Sequence, residues 1–155
     1  THEGAPAYQT VIGHSYGTLV VATTARSHGL AADSVVFLGS PGVGVDTAAD
    51  LHAPGTAVWS STASNDIVAY LTSPPGIVDQ LLPGPGRLPP FLLDLFRRDD
   101  DLWFGRNPTT PEFGARVFAS AAHGHLGYWD YDNIALDGLA NIALGPERQD
   151  AVIRR

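Results

Sequence analysis

The sequence predicts an α/β fold: a mostly parallel sheet of about four strands with flanking helices. Three observations carry this expectation. Between Tyr8 and Ser60, short β-branched or aromatic stretches alternate with segments of helical composition. Ser34–Leu38 (SVVFL) is a short apolar run without alternation, the pattern of a parallel strand covered on both faces. Gly13-His14-Ser15-Tyr16-Gly17 falls where a strand signal meets a helix signal.

The elements follow in order. Tyr8–Ile12 (YQTVI) reads as the first strand. The turn at Gly13–Gly17 leads into a helix over Thr18–His28, supported by Leu19, Ala22 and Ala25 and stopped by Gly29, although Val20, Val21, Thr23 and Thr24 oppose it. Ser34–Leu38 is the second strand, broken by Gly39-Ser40-Pro41-Gly42; Asp46–Leu51 is a short helix; Thr56–Ser60 is the third strand, with a polar loop to Asp66. Six of the 12 prolines then crowd between Ser73 and Pro90, so about 71–106 reads as an irregular, lid-like insertion rather than a strand. Within it Phe91–Phe96 is apolar, and Arg97-Arg98 beside Asp99–Asp101 makes a solvated charge patch. Ala115–Ser120 is the fourth strand. A final helix spans about Asn133 to Leu144, with Leu136, Leu139, Ala140 and Ala143 at helical spacing and Gly145-Pro146 as its stop.

Composition narrows the function. At 155 residues the chain is the size of one domain, and 9 basic against 16 acidic residues give a net charge of −7. That balance excludes the basic footprint of a nucleic-acid binder. Every basic residue is Arg, and there is no Cys, which excludes disulfides, thiolate metal sites and a Cys nucleophile. No apolar run approaches the ~18 residues of a membrane span, and the first residues do not read as a signal peptide.

Gly13–Gly17 matches G-x-S-x-G, the turn that exposes a serine hydroxyl above a parallel sheet. In a chain with 17 glycines the pattern can arise by chance, and its position between strand and helix gives it weight. Gly13 and Gly17 are expected because side chains there would clash with the neighbouring strand and helix. A serine needs a base, and the base needs a carboxylate. On this kind of sheet they follow in the order Ser, Asp/Glu, His from loops at the strands' carboxyl ends. Asp66 and His125 occupy such positions. Asp46 is the runner-up acid, with Asp33, Asp50 and Asp130 behind it. His2, His28 and His52 read as solvated, and His14 as a packing residue whose side chain points away from that of Ser15. His123 rivals His125, and their spacing also admits a metal-dependent hydrolase. The backbone N–H of Tyr16 is one oxyanion donor; the second normally comes from a loop after an earlier strand, which the sequence does not offer.

These motifs resemble the α/β-hydrolase superfamily, and within it an uncharacterised actinobacterial branch. The likeness lies in Gly13-His14-Ser15-Tyr16-Gly17-Thr18, in Val36-Phe37-Leu38-Gly39-Ser40-Pro41-Gly42-Val43-Gly44-Val45-Asp46, in Asn65-Asp66, and in Gly124-His125-Leu126-Gly127-Tyr128-Trp129-Asp130. The resemblance implies Ser15 as nucleophile, Asp66 as acid and His125 as base, preferring His125 over His123. It implies a serine hydrolase of carboxylic esters or related small acyl substrates, needing no cofactor or metal; the alternative is a non-catalytic binding module of the same fold. Members of that branch carry a longer N-terminal region. The chain is therefore expected to be the C-terminal half of the fold, with its first strand free to pair with a missing N-terminal half or another chain. Trp103-Phe104 and Phe91–Phe96 either line an acyl pocket or simply pack on the domain.

Overall fold

The computed structural model describes residues 7–70 and 101–146. Four parallel strands form the main sheet in the order β1-β2-β3-β6: β1 (Thr10–His14), β2 (Ser34–Leu38), β3 (Ala57–Ser61) and β6 (Arg116–Val117). A separate antiparallel pair, β4 (Asp101–Leu102) and β5 (Gly105–Arg106), makes a small hairpin. Among the described residues, two α-helices flank the main sheet, α1 (Tyr16–His28) and α2 (Ile134–Leu144). Among the described residues no helix is long and apolar enough to cross a membrane.

β2 is buried along its whole length, and its pleat explains why it lacks alternation. Val35 and Phe37 pack with Ala22, Val43, Leu51 and Phe113 on the α1 face, while Val36 and Leu38 pack with Ala63, Tyr128, Ala135, Leu139 and Ile142 on the α2 face. Full burial of each such side chain contributes about 1.5–3 kcal/mol, so β2 is the seam between two half-cores.

Several boundaries differ from expectation for local reasons. β1 runs on to His14 instead of ending at Ile12, and α1 begins at Tyr16 rather than Thr18, so Ser15 alone separates strand from helix. The short helix before β3 is a 3-10 turn, Ala48–Leu51, held by a capping box between Thr47 and Asp50. The fourth main-sheet strand shrinks from Ala115–Ser120 to Arg116–Val117, which pair with Trp59 and Ser60. Beyond it the chain turns toward Asn133, whose Oδ1 accepts from Ala121 N–H at 3.0 Å. The buried residues of α2 are Ala135, Leu139 and Ile142, so of the four at the expected spacing Leu139 is buried, Leu136 half-buried, and Ala140 and Ala143 exposed. Gly138 is needed there, since a Cβ would approach the Phe118 ring to 2.5 Å. Of the expected insertion, 71–100 with Phe91–Phe96 and the Arg97-Arg98 patch lies outside the described residues, and its end is the ordered β4–β5 hairpin rather than irregular chain.

The two motif glycines are not equivalent. A Cβ on Gly13 would sit 2.8 Å from Thr18 Cα and 2.9 Å from the Gly17 carbonyl oxygen, whereas one on Gly17 would meet no described atom within 4 Å. The expected crowding holds at Gly13 and fails at Gly17, which lies in the first turn of α1 with open space beside it. Gly13→Ala should therefore destabilise the chain by about 1–3 kcal/mol. Gly17→Ala should be neutral or stabilising by up to about 1 kcal/mol. Urea unfolding of the pair checks the asymmetry, and equal losses would refute it.

Candidate active site

Ser15, Gly39, Asp66 and His125 all lie where the chain leaves the carboxyl ends of the parallel strands, the end at which such sheets carry ligands. Ser15 has φ 57 and ψ −133, a left-handed conformation that costs a non-glycine residue about 1–3 kcal/mol. Its N–H donates to Leu38 O at 2.9 Å, and its carbonyl accepts from Thr18 N–H at 3.0 Å and Thr18 Oγ1 at 2.8 Å. That hydroxyl proton being spent, Thr18 Oγ1 accepts from the buried Ser40 Oγ at 2.8 Å, and Ser40 Oγ accepts from Gly42 N–H at 3.2 Å. The strained turn is thus tied to the loop after β2. Ser15 is the N-cap of α1 yet makes no capping bond with its side chain, so the helix end does not occupy its hydroxyl.

Asp66 is fully buried, and its carboxylate gathers three donors. His125 Nδ1 lies 2.9 and 3.0 Å from its two oxygens, Tyr128 OH donates at 2.6 Å and Val68 N–H at 2.9 Å. Burial pushes the Asp66 carboxyl up, but the hydrogen bonds from His125, Tyr128 and Val68 and the charge of the imidazole outweigh it and hold the group below its ordinary value. An ionised carboxylate only accepts, so Nδ1 carries a proton and points Nε2 away from Asp66, where the neutral form of the ring offers a lone pair.

Three further residues hold this pair, through contacts that no local sequence signal announces. Tyr128 OH accepts from Ala63 N–H at 2.9 Å while donating to Asp66, and burial together with that carboxylate pushes its phenol up. Asn65 joins the two loops, accepting from Gly124 N–H at 2.8 Å and donating to Ala122 O at 2.9 Å. His14 Nε2 donates to the backbone carbonyl of His125 at 2.7 Å, and the two rings lie 4.7 Å apart. His14 is the packing residue expected, and what it packs against is His125. Among the described residues His125 is held by Asp66 and His14, and no hydrogen bond joins it to Ser15. Tyr128→Phe removes one donor from Asp66 and orphans Ala63 N–H, and should cost about 1–3 kcal/mol in thermal or urea unfolding. A loss under 0.5 kcal/mol would mean that water replaces the phenol.

The rival candidates are occupied elsewhere. His123 is exposed and pairs with Asp130 at 3.0 Å and Asp132 at 3.7 Å, whereas His125 pairs with Asp66. Asp46 is exposed, Asp33 accepts from Gln9 N–H at 2.7 Å, and Asp50 serves its capping box. His28 and His52 are exposed, and His2 lies outside the described residues. Among the described residues no group of three or more His, Cys, Asp or Glu side chains could hold a metal ion. Tyr16 opens α1, so its N–H has no carbonyl four residues back within the helix.

Comparison with known proteins agrees with this architecture. A family described as an alpha/beta hydrolase matches residues 2–75. Two uncharacterized proteins, from two strains of Mycobacterium tuberculosis, are each 31% identical over 156 aligned positions, covering 94% of this chain and 22% of their own length. The chain thus spans about a fifth of these curated relatives. No solved structure matches it.

Proposed function

We propose that this chain, which has a parallel sheet and is similar to the alpha/beta hydrolases over residues 2–75, is a serine hydrolase that cleaves carboxylic esters or related acyl compounds. Ser15 would be the nucleophile, His125 the base and Asp66 the residue that orients the base. The observation that carries the reading is the buried Asp66 holding His125 by Nδ1, at the same end of the sheet as a serine in a strained, uncapped turn.

In this mechanism Ser15 Oγ attacks the substrate carbonyl carbon as its proton passes to His125 Nε2. The oxyanion takes a hydrogen bond from Tyr16 N–H, and the imidazolium is stabilised by Asp66. Collapse returns that proton to the leaving alkoxide and leaves an acyl-Ser15 ester. Water then attacks the ester, giving a proton to His125, which passes it to Ser15 Oγ as the acid departs. The Ser15–His125 hydrogen bond forms when substrate binds, since such contacts are commonly loose in the empty site.

A fluorophosphonate probe tests the reading. Ser15 should be labelled, labelling should be lost in Ser15→Ala, and ester turnover should survive EDTA. If the probe leaves Ser15 unmodified under conditions that label a control esterase, the catalytic reading fails and the non-catalytic binding module takes its place.

A further inference from the structure

An aromatic wall stands beside the Ser15 turn. Tyr16, the residue after Ser15, leaves 60% of its surface exposed. Its ring meets Phe104 edge-on, with centroids 5.8 Å apart and planes at 73°, and Trp103 stacks on Phe104 at 4.9 Å and 10°. Phe104 and Trp103 form the tip of the β4–β5 hairpin.

The hairpin tip is held by backbone rather than by side chains alone. Phe104 N–H donates to Pro41 O at 2.8 Å, and its carbonyl accepts from Gly44 N–H at 2.6 Å. Gly42 has φ +99, and a Cβ there would sit 2.5 Å from the Phe104 carbonyl carbon, so the two segments touch at main-chain distance. The wall is fixed to the turn that follows β2, the same strand end that accepts Ser15 N–H through Leu38 O. Around the rest of the site, Ile67 follows Asp66 and is 56% exposed, and Leu126 follows His125 and is 76% exposed. Ser15, Asp66 and His125 are thus each followed by a large exposed side chain with an apolar body. Such a rim favours an apolar ligand over a charged one.

We infer that the wall of Tyr16, Phe104 and Trp103 is an acyl subsite that binds the unbranched apolar acyl group of the ester, so that the chain prefers medium-length acyl esters to acetyl esters. This rests on Ser15 being the nucleophile. A flat aromatic wall contacts a methylene chain along its length, and each methylene it removes from water should raise kcat/KM about threefold.

Two measurements test this, one of which does not need catalysis. On p-nitrophenyl esters from acetate to hexanoate, kcat/KM should rise by at least about 30-fold. The rise should shrink below about threefold in Phe104→Ala and be partly restored in Phe104→Leu, with melting curves confirming that each variant folds. In parallel, titration with decanoate should give a saturable change in tryptophan fluorescence that Phe104→Ala abolishes, read in a background carrying Trp59→Phe and Trp129→Phe. A flat chain-length profile, a profile unchanged in both Phe104→Ala and Trp103→Ala, or no saturable response to decanoate overturns the inference. Saturable binding of decanoate by a chain whose Ser15 resists the fluorophosphonate probe would instead keep the acyl subsite and remove the hydrolase.

Discussion

Asp66→Asn should lower kcat/KM for ester hydrolysis by about 10⁴-fold while leaving the chain folded. The reason is tautomeric. The carboxylate accepts from His125 Nδ1, from Tyr128 OH and from Val68 N–H. An amide oxygen can keep the bond from Val68 N–H, but the NH₂ group then faces His125 and Tyr128 as a donor. Standing 3.0 Å from Nδ1, it favours the tautomer with the His125 proton on Nε2, which lacks the lone pair that would take the serine proton. The same substitution should change the acid limb of stability. The carboxyl of Asp66 is held below its ordinary value, so its contribution is complete above the unfolded carboxylate pKa of about 3.9 and is lost as pH falls through the lower folded value. The variant should therefore lose less stability than the parent below about pH 4. Urea unfolding at pH 3 and pH 6 reads that difference, and kinetics at pH 7 reads the first. A loss of activity under tenfold would mean that Asp66 does not orient the base.

Gly39→Ala should damage both fold and activity, through a single added methyl. Gly39 has φ +50, and a Cβ would lie 2.5 Å from Asp66 Oδ2, 3.1 Å from His125 Nδ1 and 3.2 Å from Tyr128 Cε2. The left-handed backbone alone costs an alanine about 1–2 kcal/mol. The clash is with a fully buried carboxylate whose partners are fixed, so relief requires moving Asp66, His125 or Tyr128. We expect a total loss of about 3 kcal/mol, or roughly 10 °C in melting temperature, with at least about 100-fold lower ester turnover. Gly55→Ala is the control: Gly55 also has positive φ, +82, but open space beside it, so it should pay only the backbone cost. Equal effects at the two positions would show that crowding at Gly39 is unimportant.

The strands and helices were legible because their signals are local. The apolar run Ser34–Leu38 could be read as a doubly covered strand without knowing what covers it, and its bounds match the structure. Gly29 and Gly145 end their helices with positive φ, as their composition suggests. The last strand is shorter than its composition suggests because Ala115–Ser120 lies at an exposed edge, where pairing with Trp59 and Ser60 alone sets its length. The crowding expected at Gly17 is absent because a glycine in a motif carries no record of whether space or chain flexibility required it.

Taken by itself, the sequence determined the order of the elements, the strained turn at Ser15 and the short set of carboxylates and imidazoles that could stand at the strand ends. These follow from backbone preferences and side-chain periodicity within a few residues. Only the tertiary structure decided that Asp66 meets His125 while His123 goes to Asp130, that Tyr128 donates to the buried carboxylate, and that Phe104 docks against Tyr16. Those partners are set by which strand ends β2 brings side by side. Asp66 and His125 stand 59 positions apart, and His14 and His125 111 apart. Across such separations no local conformational preference selects one imidazole over another; the packing of the sheet does.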